Sequence, residues 1–143
     1  MAITFNSANV RPKDGYPLHT RRGNVATSAT VTPGHPVFIN ASADLDLGDG
    51  DDVNQSQCRG VALSDGAGST SFAAGTRIDY VTHGPVSGFA GMTPGLPVYI
   101  DVAAGAYTHT KSATTGDFNY IIGYAEDATT LFVAPQIAVP TAV

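Results

Sequence analysis

The chain has 143 residues, which fits a single domain, since domains commonly run to about 100–150 residues. A hydrophobic fraction of 43% argues against wholesale disorder, and a charged fraction of 13%, against roughly 25% in an average domain, argues against exposed helices, which need Lys and Glu outside. The net charge of −5 draws the protein to neither nucleic acid nor an anionic membrane, and the single cysteine, Cys58, excludes an internal disulfide framework and a Cys-based zinc site.

The N-terminal stretch MAITFNSANVRPKDGY lacks the apolar run of a signal peptide, and no segment approaches the ~18–20 apolar residues of a membrane span. The chain is therefore expected to start near Met1, to be made in a cytoplasm and to stay soluble. Of its seven cationic residues, Arg11, Lys13, Arg21 and Arg22 fall in the first 22, opposed there only by Asp14. Pro12 and Pro17 disfavour a helix. Residues 1–23 thus read as an extended arm for an acidic partner, the four cations pairing with carboxylates and Ile3 and Phe5 serving as apolar anchors. The plainer alternative is a frayed basic terminus.

From Asn24 onward the punctuation is that of an all-β chain: short apolar runs separated by Gly, Pro, Asp and Ser clusters, with no room for a helix. The predicted strands are Val25–Val31, Pro36–Asn40, Cys58–Leu63, Arg77–Thr82, Val86–Ala90, Leu96–Ile100, Ala106–Thr110, Tyr120–Ala125 and Thr130–Ala134. Alternation in RIDYVT places Ile78 and Tyr80 on one face and Arg77 and Asp79 on the other. The runs PVFI, RGVAL and NYIIGYA are continuously apolar, as in strands buried inside a small barrel or sandwich.

The chain also echoes itself. VTPGHPVFIN at 31–40 returns as MTPGLPVYID at 92–101, with seven of ten positions identical or closely similar. RGVALSDG at 59–66 returns as IGYAEDAT at 122–129, with Gly60 matching Gly123. The separations are 61 and 63 residues, so two similar β-units span about 31–66 and 92–129. In each frame Pro33 or Pro94 presets the second position of a type II turn, Gly34 or Gly95 supplies its positive φ, and Pro36 or Pro97 opens the strand.

Reactive constellations are wanting. His19, His35, His83 and His109 show no H-x-x-x-H or H-E-x-x-H spacing, no G-x-S-x-G elbow supports a serine nucleophile, and no phosphate-cradling glycine motif occurs. Cys58 opens a buried strand and reads as a small core residue. Asp44, Asp46, Asp49, Asp51 and Asp52 could wrap Ca²⁺, but Gly48 stands where a third ligand belongs and no Glu closes the loop, so a solvated loop is the simpler reading. Tyr80, Phe89, Tyr99, Tyr107, Phe118, Tyr120 and Tyr124 could form a platform for sugars or bases, but strand spacing turns most of them inward. No catalytic residue, cofactor or metal is expected.

The segments TPGHPVFI, CRGVALSDGA, RIDYVTHGPVSGF, TPGLPVYID and NYIIGYAEDA, in this order, resemble the capsid decoration (cement) proteins of tailed bacteriophages. The resemblance covers roughly residues 24–137; the acidic insertion at 41–56 and the 23-residue leader depart from a minimal version. It implies a compact β-barrel or β-tulip-like domain over 24–143, commonly a homotrimer, on the outer capsid surface where major capsid protein subunits meet. The function it implies is structural: head stabilisation by bridging capsid subunits. A carbohydrate-binding or adhesion β-module of a phage surface or tail is the alternative.

Overall fold

The computed structural model describes residues 2–13, 18–27 and 29–143. It is all-β, the only helical element among the described residues a 3-10 turn at Ser7–Asn9. The strands are β1 (Thr4–Phe5), β2 (Arg11–Pro12), β3 (His19–Asn24), β4 (Pro36–Ile39), β5 (Leu45–Leu47), β6 (Gly60–Ala62), β7 (Arg77–Ser87), β8 (Phe89–Ala90), β9 (Pro97–Ile100), β10 (Tyr107–Thr108), β11 (Ile121–Ala125) and β12 (Thr130–Val133). One sheet runs β10-β9-β11-β12-β7-β6-β4-β5, with β2 and β3 also on β7, and it curls as a half-barrel. β1 pairs separately with β8.

The two TPG frames fold as their residues require. His35 N donates to Thr32 O and Leu96 N to Thr93 O, closing turns in which Gly34 and Gly95 have φ of 101° and 83°. The glycines differ in surroundings: a Cβ on Gly34 would overlap the Phe5 ring, whereas one on Gly95 meets nothing. Gly95→Ala should therefore lower stability by only the ~1–2 kcal/mol of a left-handed residue, and Gly34→Ala by clearly more. Equal losses in a denaturant titration would contradict this.

Strands after the turns enter matching ladders. In the first half Val37 faces Gly60 and Pro36 faces Val61; in the second Val98 faces Gly123 and Pro97 faces Tyr124. β5 and β10 then flank β4 and β9 on their other edges. The runs are apolar because both faces of these strands are covered over most of their length, with Ile39 and Tyr124 the exposed exceptions. Val37 and Ala62 belong to one core cluster with Leu45, Ile78 and Tyr80; Phe38 and Val61 belong to a second with Val81, Ile100, Tyr107 and Ile122.

Several expectations change. The leader is not a free arm: β1, β2 and β3 are strands of the domain, and Val10 is fully buried. Asp14 and Pro17, read as part of that arm, lie outside the described residues. Among the described residues of Val25–Val31 there are only isolated bridges, Val25 with Leu45 and Val31 with Phe72. The strands expected at Arg77–Thr82 and Val86–Ala90 run together instead, as the 11-residue β7 passes through Gly84 and Pro85 before β8 begins. Ile78 and Tyr80 are buried and Arg77 and Asp79 exposed, as the alternation requires.

β5 was hidden in the acidic insertion, which does not simply project. Gly50 N donates to Asp101 O and Gly105 N to Gly48 O, each at 2.8 Å, and Phe118 N donates to Gly50 O. These bonds join the segments beside the two end strands. A Cβ on Gly50 would stand 2.9 Å from the Asp101 backbone, so glycine permits the approach.

Candidate functional site

The residues expected to contact a partner are divided by the fold. Ile3 is 8% exposed, and Phe5 packs edge-on against His35, Phe89 and Tyr107 at centroid distances of 5.5, 5.9 and 6.1 Å. Ile3 therefore sits in the domain's own core and the half-buried Phe5 packs against it, which corrects their reading as external contacts. Lys13 Nζ reaches Asp127 at 3.4 Å and Glu126 at 4.0 Å, and Arg22 Nε donates to Asp79 at 2.7 Å. Arg11 and Arg21 remain exposed on β2 and β3. Sequence position alone could not separate these cations, because pairing depends on which β7 and β11–β12 residues lie opposite.

The aromatic residues divide as well. Tyr80, Phe89, Tyr99, Tyr107 and Tyr120 are buried, while Tyr124 is 42% exposed. Tyr124 stacks on Phe132 with centroids 5.0 Å apart and planes 15° apart, and His83 meets Phe132 edge-on at 5.2 Å. His19 stands 6.1 Å from His83, continuing a row of rings across four strands. Phe132 and His83 carry no motif; only the register of β12 and β7 brings them beside Tyr124 and His19.

A second surface feature is a cleft of about 490 Å³. Its walls include Arg22, Asp65, Ser69, Phe72, Arg77 and Asp79. Asp65 accepts from the Ser69 hydroxyl at 2.5 Å and from Ala67 N at 2.9 Å, and these bonds hold its carboxyl below the usual range. Carboxylates and guanidinium groups beside a small apolar floor can engage a polyol through its hydroxyls.

The acidic insertion uses its carboxylates locally. Asp46 accepts from Leu47 N, Asp49 from Asp51 N, and Asp52 from Asn54 N and Gln55 N. Such Asx contacts fix the turns of the loop. Partial burial pushes the Asp49 carboxyl up against the opposing hydrogen bond from Asp51 N, and the carboxylates of Asp51 and Asp52 add to the rise. Among the described residues no group of three or more His, Cys, Asp or Glu side chains is placed to hold an ion. Cys58 is fully buried, and burial pushes its thiol far up, away from the thiolate a nucleophile needs.

Two histidines clamp the repeated turns. Thr32 N donates to His35 Nδ1 at 3.0 Å. Thr93 N donates to His109 Nε2 at 2.9 Å while His109 Nδ1 donates to Pro97 O at 2.8 Å. Burial lowers His35 to about 4, so the folded protein holds it neutral where the unfolded chain, near 6.5, takes up a proton. Stability should be full above pH 6.5, fall as pH drops from 6.5 towards 4, and lose up to about 3 kcal/mol through this group. His35→Gln should flatten that part of the profile; identical slopes in the two proteins would assign the acid sensitivity elsewhere.

No protein-family model matches the sequence, and no curated protein matches it. No helix among the described residues is long and apolar enough to cross a membrane.

Proposed function

We propose that this protein is a structural component of a phage particle, a non-enzymatic decoration protein that binds the outer capsid surface and stabilises it by bridging major capsid protein subunits. The observation that carries the reading is the matched ladder. What supports it is that the two TPG turns lead into strands with like neighbours, β4 between β5 and β6 and β9 between β10 and β11, with Val37 opposite Gly60 and Val98 opposite Gly123, as two similar β-units require. Most distinctive side chains serve that framework: the prolines and glycines make turns, two histidines clamp them, and the buried tyrosines fill the core. Such a unit fits a clamp better than a reaction vessel.

Docking in this reading uses the outer surface. Exposed Arg11 and Arg21 face acidic grooves of the capsid, with the Tyr124–Phe132 stack as an apolar contact. A homotrimer multiplies modest contacts by avidity. The protein is made in the host cytoplasm and assembles onto the virion without cofactor, nucleic acid or membrane. Cryo-electron microscopy of purified particles tests this: density for the chain across the head, in copy number proportional to the capsid protein, is the expected result. A few copies confined to the tail would favour the second reading, a carbohydrate-binding adhesion module, for which the polar cleft beside Arg22 and Asp79 speaks. Absence from the particle would overturn both.

A further inference from the structure

We propose that His19 and His83 form a two-imidazole chelate for a divalent transition metal, of the zinc class, on the outer face of the sheet. The argument begins with the four histidines. His35 has its Nδ1 engaged by Thr32 N and lies against Phe5, and His109 has both ring nitrogens bonded, to Thr93 N and Pro97 O. His19 and His83 are both exposed, and they are direct cross-strand partners in the β3–β7 ladder. Sixty-four positions of chain separate them, so no spacing motif could mark the pair.

The geometry is close to what an ion needs. The ring centroids are 6.1 Å apart. With metal–nitrogen bonds of about 2.0–2.1 Å, two imidazoles on one tetrahedral ion bring their centroids to about 5 Å. Closing the remaining gap of about an ångström takes small χ rotations, which exposed side chains can make. Imidazole suits zinc, copper and nickel, and water fills the other positions of the ion. Because His19 is the first residue of β3 and His83 lies within β7, the ion would pin the N-terminal edge strand to the longest strand of the sheet.

Calorimetric titration of the untagged full-length chain with Zn²⁺ tests the proposal, with Ca²⁺ as comparison. Expected is one Zn²⁺ per chain, a rise in melting temperature on saturation, and no matching response to Ca²⁺. His19→Gln and His83→Gln, each checked for unchanged melting without metal, should each weaken Zn²⁺ binding at least tenfold and lose the thermal shift. Zn²⁺ affinity retained in the double variant would overturn the assignment. So would binding shared equally by Ca²⁺, which would place the ion on the carboxylates of residues 44–52, and so would an absence of Zn²⁺ binding to the native chain.

Discussion

Gly60→Ala and Gly123→Ala should each destabilise the protein by about 3 kcal/mol or more, among the largest effects of any single-methyl addition to this chain. A Cβ on Gly60 would overlap the carbonyl oxygen of Val81, and one on Gly123 that of Phe132. The obstacle in both places is backbone of the neighbouring strand, β7 or β12, which cannot rotate aside as a side chain can. Both positions lie inside buried strands, and Gly123 sits beside a register shift in the β9–β11 ladder. The physical cause differs from that at Gly95, where φ alone demands glycine and the space is open. Denaturant midpoints of the three alanine variants check this. A loss at Gly60 or Gly123 no greater than that at Gly95 would show that the sheet can part to admit a methyl group.

Deleting residues 1–24 should abolish cooperative folding, the opposite of what an independent arm would give. The deletion removes all six residues of β3, which pair with β7 from Arg77 to His83, and the β2 pairing with Val86 and Ser87. It also removes Val10, fully buried, Ile3 from the core, and the half-buried Phe5 that packs against Phe89 and Tyr107. Fully burying a side chain of this size stabilises by roughly 1.5–3 kcal/mol, so Val10 and Ile3, with the partial burial of Phe5 and the lost strand pairing, approach the 5–15 kcal/mol by which a whole domain is stable. Circular dichroism and thermal melting are the measurements. A sharp transition near that of the full chain would show that the remaining strands close their core unaided. The milder variant Phe5→Ala, which truncates a half-buried ring, should cost about 2 kcal/mol and leave the fold recognisable.

The candidate docking surface divides along the same line. Arg11 and Arg21 were recognisable as cations of a basic leader, and they are exposed. Lys13 and Arg22 looked equivalent to them, yet face Asp127 and Asp79, carboxylates far away in the chain. Tyr124 appeared among seven aromatic residues with nothing to single it out, and its stack on Phe132 follows from the β11–β12 register.

What the amino-acid sequence determined by itself is what short-range chemistry dictates. A Pro-Gly pair followed by proline and a V-aromatic-Ile run has few conformations open to it, so both turns and the strands after them, β4 and β9, were legible. Continuous apolar runs likewise announced strands covered on both faces over most of their length, though not at Ile39 or Tyr124. Tertiary structure decided what depends on a partner. β3 reads HTRRGN, with no apolar alternation, and is a strand because the edge of β7 offers it hydrogen bonds. β5 is a strand for a similar reason, on the edge of β4. The role of Gly60 and Gly123, the bonds of Gly48 and Gly50 to the segments around β10, and the meeting of His19 with His83 all rest on contacts between residues distant in the chain. Local rules carry no information about such contacts, because they arise only when register sets one strand beside another.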